Sequence, residues 1–211
     1  MTMIAIGGII GAGLFVGTGP ILNEAGPATI LTYLITGTIL ILIMRMLGEM
    51  AVAQPSVGSF SDYSRMALGN WAGFSVGWLY WYFWAIVVGF EATAAAGILT
   101  QYIPAVPPWL ISLILILLLT ATNLYSVGSY GEFEFWFASI KVAAIIIFIV
   151  LAILFIIGVL PSGGMGLSNL YDEGGFFPNG ALVMFSGVVT VIFAFVGAEI
   201  VTIAAAESSE P

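Results

Sequence analysis

Cysteine and histidine are both missing from this 211-residue chain, and lysine and arginine together number only 3. Without thiols or imidazoles there is no disulfide framework, no thiolate nucleophile, no imidazole base and no zinc site of ordinary type. Most hydrolase and redox mechanisms are thereby disfavoured, an enzyme is not expected, and neither a metal nor an organic cofactor is expected. Charge of either sign is scarce, at 7% of residues, and the net charge of −8 comes from carboxylates that stand singly and form no acidic run. That balance says little about partners, and no nucleic-acid partner is expected. Nor does the N-terminus read as a secretory leader. It has no basic n-region, and its apolar stretch runs through Gly7, Gly8, Gly11, Gly13 and Gly17 into Gly19-Pro20 instead of an A-x-A site.

What is present is apolar surface. A hydrophobic fraction of 61% and a mean hydropathy of +1.17 leave too little polar surface to cover a soluble globule. Runs such as LTYLITGTILILIM and WLISLILILLLTAT need a lipid bilayer as the partner for their side chains. Measured against the ~20 residues that cross ~30 Å of hydrocarbon, the chain offers about six candidate spans. They lie at 1–23, 28–54, 71–100, 108–126, 135–160 and 180–206, within a single transmembrane domain over residues 1–211. The expected fold class is therefore all-α, a polytopic membrane protein.

The connectors Ala25-Gly26-Pro27, 104–108 and 126–132 are short and carry the Gly/Pro punctuation that ends helices, so neighbouring spans are expected to be antiparallel. Two connectors are longer. In PSVGSFSDYSRMALGN, Ser59 and Asp62 have capping-box spacing, which predicts a short interfacial helix stopped by Gly69. PSGGMGLSNLYDEGGFFPNG is rich in turn formers and reads as an irregular surface loop. Arg45, Arg65 and Lys141 fall on one side of the membrane when about six spans are counted. That side is expected to be cytoplasmic, with the N-terminus inside and the loop bearing Asp172 and Glu173 outside.

The first span concentrates Gly7, Gly8, Gly11, Gly13, Gly17 and Gly19 in GGIIGAGLFVGTGP. Each glycine in a helix interior costs about 1 kcal/mol relative to alanine, so this helix is unusually easy to unwind. Unwound backbone at membrane depth survives only where it lines a cavity or is buried in protein. A break there exposes N–H groups and a half-helix N-terminus, which together hold a carboxylate. Gly7/Gly11 and Gly13/Gly17 are also GxxxG pairs, which close helix packing alone would explain. A dinucleotide loop is disfavoured because no βαβ unit surrounds the glycines.

The sixth span, VTVIFAFVGAEIVTIAAAE, carries Gly197 and Glu199 amid apolar residues. A carboxylate at membrane depth is a functional candidate by default, against the alternative of a neutral Glu satisfied by a neighbouring helix. Two interrupted helices separated by one five-helix repeat are the pattern of inverted-repeat transporters, with substrate held at the midplane between them. Lys141, a turn or two inside the fifth span, is a candidate proton carrier, because burial lowers an ammonium pKa; the alternative is a lysine snorkelling to the interface. Glu91 either lines a cavity or is a satisfied packing residue. Arg45 and Glu49 are expected to form an edge ion pair. The aromatic cluster WLYWYFW in the third span reads as packing or an interfacial belt more readily than as a substrate surface.

GGIIGAGLFVGTGP, RMLGEMAVAQPSVGSFSDYS, EFEFWFASIKV and FAFVGAEIVTIAAAESSEP closely resemble segments of the bacterial amino acid permeases of the amino acid–polyamine–organocation superfamily. The motifs occur in the family's order and spacing over nearly the whole chain. The resemblance implies a five-plus-five inverted-repeat fold of the leucine-transporter type working by alternating access. This chain would supply the first repeat plus the sixth helix, with helices 1 and 6 interrupted. It implies a substrate carboxylate on the backbone around Ile9, Ile10, Ala12 and Gly13, with Gly11 permitting the break. The substrate amine would meet the stretch Phe193, Ala194, Phe195, Val196 and Gly197. The aromatic at Phe193 would cover the substrate, Glu199 would link binding to conformational change, and Lys141 would replace a sodium site.

The family's basic leader is absent, and the chain stops at ESSEP where relatives continue. The expectation is a fragment whose missing C-terminal helices complete the cavity. The expected function is proton-coupled amino acid symport at the plasma membrane, with a bilayer and an amino acid as partners and the proton as coupling ion. The alternatives are an antiporter or polyamine carrier of the same superfamily, or a non-transporting fragment.

Overall fold

In the computed structural model, residues 2–56, 58–125, 127–161, 166–172 and 174–200 are described, excluding the side chains of 2–5, 125–134 and 169. The described residues are helical and contain no strand: α1 Thr2–Ile9, α2 Ala12–Phe15, α3 Thr18–Ala25, a 3₁₀ turn Gly26–Ala28, α4 Thr29–Ala53, α5 Ser59–Leu68, α6 Asn70–Leu99, α7 Pro108–Tyr125, α8 Val127–Ile156, a 3₁₀ turn Ser168–Leu170 and α9 Val183–Ala194. Three stretches among them are long and apolar enough to cross a membrane: Ala12–Ala53, Asn70–Leu99 and Phe135–Ile156. Pro108–Leu124 and Val183–Ala194 are shorter apolar helices. The outward apolar side chains of α7 and α8, among them Leu117, Leu118, Ile147 and Phe148, are exposed, as the side chains of a lipid-facing surface are. The chain is a membrane protein of all-α class.

Two compact units are distinguishable, residues 2–41 with 134–198, and residues 42–133 with the segment from Glu199. In the first, small residues set the approach of the helices. A Cβ on Gly7 would fall 2.7 Å from Cβ of Ala138, which is itself buried in α8. A Cβ on Gly187 of α9 would fall 3.1 Å from Thr32 and 3.3 Å from Ile21. Thr32, fully buried in α4, donates to the carbonyl of Met184 at 3.1 Å and so ties α4 to α9. At the turn into α4, Gly26 has φ +58, open to glycine at little cost, and Pro178 lies where its Cβ would be. Asn179 completes that contact by donating to the carbonyl of Glu24 at 2.8 Å.

In the second unit α5 folds back on the start of α6. Ser61 Oγ donates to Gly73 O at 3.0 Å, Tyr63 OH donates to Gln54 O at 3.1 Å, and the Phe60 and Tyr80 rings meet edge to face at 4.6 Å. Gly69, with φ +94, ends α5. Ser112 of α7 donates to Ala92 O of α6 at 3.3 Å, beside the fully buried Ala96. Arg45 Nε and Glu49 Oε1 pair at 3.1 Å with both side chains exposed.

Two local expectations are corrected. Ser59 does not cap α5: the cap position is Gly58, Ser59 is buried with φ +44, and its hydroxyl has no partner. The Asp62 carboxylate is taken by Ser56 Oγ instead. Ser56 lies outside the helix, where its hydroxyl also accepts from Gly58 N–H at 3.3 Å, whereas Ser59 is buried. The connector read at 126–132 is also helical from Val127 onward, because Gly128 and Gly131 lower helix propensity without ending a helix that an apolar run continues. Residues 201–206 of the expected sixth span, and ESSEP, lie outside the described residues.

Candidate functional site

The glycine-rich first span is interrupted twice, at Ile10–Gly11 and at Val16–Gly17. Ile10 N–H still donates to Ile6 O at 3.1 Å, but the next rung of the ladder is missing. Gly11 takes an extended conformation (φ −137, ψ −163) and starts the single turn α2. Val16 and Gly17 N–H both reach back to Ala12 O, at 2.8 and 3.1 Å, which closes that turn before α3 begins. The sixth span loosens in a similar way. After Ala194 the bonds become i to i+3 (Phe195 to Ile192 at 3.0 Å, Val196 to Phe193 at 3.3 Å, Ala198 to Phe195 at 3.3 Å), and Gly197 takes φ +101.

These interruptions lie against each other within the first unit. A Cβ on Gly13 would stand 2.7 Å from both Ala194 Cα and Phe193 O and 2.9 Å from Ala194 N. A Cβ on Gly197 would meet Gly8 O and stand 2.7 Å from Gly8 C. The structure therefore brings Gly13 of α2 against Phe193 and Ala194 at the end of α9, and Gly8 and Ile9 of α1 against Gly197; Ile10, Gly11 and Ala12 lie between the two contacts on the first span, and Phe195 and Val196 between them on the sixth. Main chain meets main chain at both contacts.

Lys141 stands near the middle of α8, roughly four turns from its start, because the helix begins earlier than the apolar run suggests. It does not snorkel. Its Nζ donates to Gly7 O at 2.9 Å, half-buried. In an unbroken helix Gly7 O would accept from Gly11 N–H, so Lys141 supplies the donor that the break removes, at the negative end of α1.

Glu199 and Glu91 belong to the other unit. The Tyr80 hydroxyl of α6 donates to Glu199 Oε1 at 3.5 Å, and the Tyr80 ring is clasped by Phe60 and Trp84. Glu91 lies eleven residues further along α6, about 16 Å at 1.5 Å per residue, and is exposed. The structure does not bring it beside Glu199. Tyr80 falls in the aromatic cluster WLYWYFW, read as packing or an interfacial belt, but its contact with Glu199 was not anticipated. Nor were Thr18 and Tyr33, whose hydroxyls lie 2.6 Å apart. The one signal for Thr18 was its place immediately after a glycine and four residues beyond Leu14; Tyr33 is a tyrosine within an apolar run and carries no local signal.

Comparison with known proteins agrees in family. The chain is 56% identical over its whole length to a protein from Pseudomonas aeruginosa described as a probable GABA permease, covering 45% of that protein. It is 53% identical to the gamma-aminobutyric acid permease of Bacillus subtilis, covering 45%, and 51% identical to the aromatic amino acid transport protein AroP of Corynebacterium glutamicum, covering 46%. The chain thus spans about half the length of the curated relatives it matches. No solved structure matches it. The amino acid permease family model matches residues 1–211, and the chain, with its two glycine-opened helices, belongs to that family.

Proposed function

We propose that this chain forms the first repeat and the broken sixth helix of a secondary transporter that moves amino acids across the cell membrane by alternating access, with further helices of the same polypeptide completing the cavity. The observation that carries the reading is the back-to-back placement of two opened main chains, Gly8–Gly13 against Phe193–Gly197, at a spacing only glycine at 13 and 197 permits. A zwitterion has one group for each surface. The carboxylate goes to the N–H groups of the Gly11–Gly13 turn, and the amine goes to carbonyls at the end of α9. Relatives named for gamma-aminobutyric acid and for aromatic amino acids are 53% and 51% identical to this chain over the part that matches, which supports the amino acid class without choosing a side chain.

The coupling ion in this reading is the proton, carried at Lys141. The ammonium holds Gly7 O, so its charge state acts directly on the end of the half-helix that borders the site. Glu199, two residues past Gly197, reports the state of the sixth helix to α6 through Tyr80. The N-terminus is cytoplasmic, with Arg45, Arg65 and Lys141 toward that side.

The test is uptake of radiolabelled amino acids by the full-length protein in proteoliposomes under an imposed pH gradient. Gly11→Leu is expected to abolish substrate binding, because the side chain fills the carboxylate position and favours a continuous helix. Unchanged affinity would remove the carboxylate assignment.

A further inference from the structure

Only the first interruption of the glycine-rich span enters the substrate reading; the second has its own polar chemistry. An unbroken helix would give Leu14 O the N–H of Thr18, and the interruption at Val16–Gly17 withdraws it. Thr18 Oγ1 answers by donating to Leu14 O at 2.6 Å. A hydroxyl has one hydrogen and a carbonyl only accepts, so the Thr18 proton is engaged there. The Tyr33 hydroxyl lies 2.6 Å from the same Thr18 oxygen and must therefore be the donor. The chain runs in one direction, from Tyr33 through Thr18 to Leu14.

The ring of Tyr33, in the second turn of α4, meets the ring of Phe195 edge to face, with centroids 6.0 Å apart and planes at 64°. Phe195 belongs to the turn that interrupts the sixth helix. One turn along α4, a Cβ on Gly37 would stand 3.7 Å from the Phe195 ring tip, at ordinary contact distance, so the ring also lies over this part of α4. One side chain thus touches the supports of both opened main chains, its hydroxyl on the α2 side and its ring on the sixth-helix side.

We propose that Tyr33 is a positioning residue for the amino acid site, holding the two main-chain surfaces at one spacing from outside the site. The inference rests on the transport reading above. Spacing matters because a substrate spans the two surfaces with its carboxylate and its amine, and a mismatch of well under 1 Å weakens both sets of hydrogen bonds at once. Loss of the relay therefore falls on substrate affinity more than on the rate of the conformational cycle.

The experiment is uptake kinetics of the full-length protein in proteoliposomes with radiolabelled gamma-aminobutyrate and a panel of α-amino acids, for wild type, Tyr33→Phe, Thr18→Val, Thr18→Ser and the Tyr33→Phe/Thr18→Val double variant. Removing one neutral hydrogen bond is expected to raise KM about three- to tenfold, with the maximal rate within about twofold. Thr18→Ser is expected to restore wild-type KM, since it keeps the relay hydroxyl. The double variant is expected to be no worse than Thr18→Val, because both changes break one chain. Wild-type KM in Tyr33→Phe, or a fall in maximal rate at constant KM, would overturn the positioning role while leaving transport intact. A wild-type protein that takes up none of the probes would overturn the transport reading, and this proposal with it.

Discussion

Gly13→Ala isolates the packing on which the candidate site depends. The added methyl would stand 2.7 Å from Ala194 Cα and from Phe193 O, about 1 Å inside the ~3.5–4.0 Å at which carbon atoms normally rest. The obstructing atoms are main chain, so no rotamer change relieves the clash and α2 or the end of α9 must move. Overpacking of this kind costs about 1–3 kcal/mol, and the lack of a flexible neighbour places this site near the upper figure. At about 1–2 °C per kcal/mol for a protein about twice the length of this chain, thermal unfolding of the detergent-solubilised full-length protein is expected about 3–6 °C lower. The chain's 6 tryptophans supply the fluorescence signal. Substrate affinity is expected to fall by at least tenfold in the same preparation, because the shift opens the spacing between the two main chains. Gly97→Ala is the matched control: it lies inside α6 with nothing within 4 Å of the added methyl, so it is expected to be neutral or stabilising by up to about 1 kcal/mol. If the two variants unfold at the same temperature and Gly13→Ala binds substrate normally, the close approach of helices 1 and 6 is not what shapes the site.

Other substitutions test separate contacts. Lys141→Met is expected to remove the dependence of uptake on the pH gradient and to lower stability by about 1–3 kcal/mol, since Gly7 O loses its donor; accumulation that still follows the gradient would mean that the proton travels elsewhere. Ser56→Ala is expected to destabilise the α5 region by about 1 kcal/mol, as loss of an Asp62 partner should, while Ser59→Ala is expected to be neutral or stabilising because it deletes a buried hydroxyl without a partner. Equal effects at the two serines in a denaturant titration would restore the capping-box reading.

Much of the fold was legible because lipid simplifies the problem: a run of apolar residues long enough to cross hydrocarbon has few alternatives to a helix. The glycines of the first span and Gly197 marked where helices open, although the GxxxG spacing of Gly7/Gly11 and Gly13/Gly17 fitted close packing as well. What escaped sequence reading was the identity of partners. Ser59 and Asp62 have capping spacing, yet Ser56 wins the carboxylate, because side-chain direction at the start of α5 is decided by packing on α6. The fifth apolar span begins at Phe135 as read, but the helix that carries it starts earlier, at Val127, because Gly128 and Gly131 weaken a helix locally without ending one that an apolar run continues. The partners of Tyr33 and Tyr80 were invisible for a more general reason. A tyrosine in an apolar run has the same local pattern whether its hydroxyl meets lipid headgroups, a threonine or a carboxylate, and only the fold chooses.

The two interruptions of the first span share a logic that bears on how such a helix persists in a membrane. Each leaves a carbonyl that water would satisfy in a soluble protein, and a polar group left unpaired in hydrocarbon costs several kcal/mol. Gly7 O is answered from another helix by Lys141, and Leu14 O is answered locally by Thr18, itself held by Tyr33. The difference lies in where the donor comes from. Thr18 is four residues from Leu14 on the same span, so the second interruption is answered within its own span. Lys141 belongs to α8, so the first interruption is answered only while α1 and α8 stay packed, and it is the one that borders Gly8, Ile9 and the close approach of Gly197.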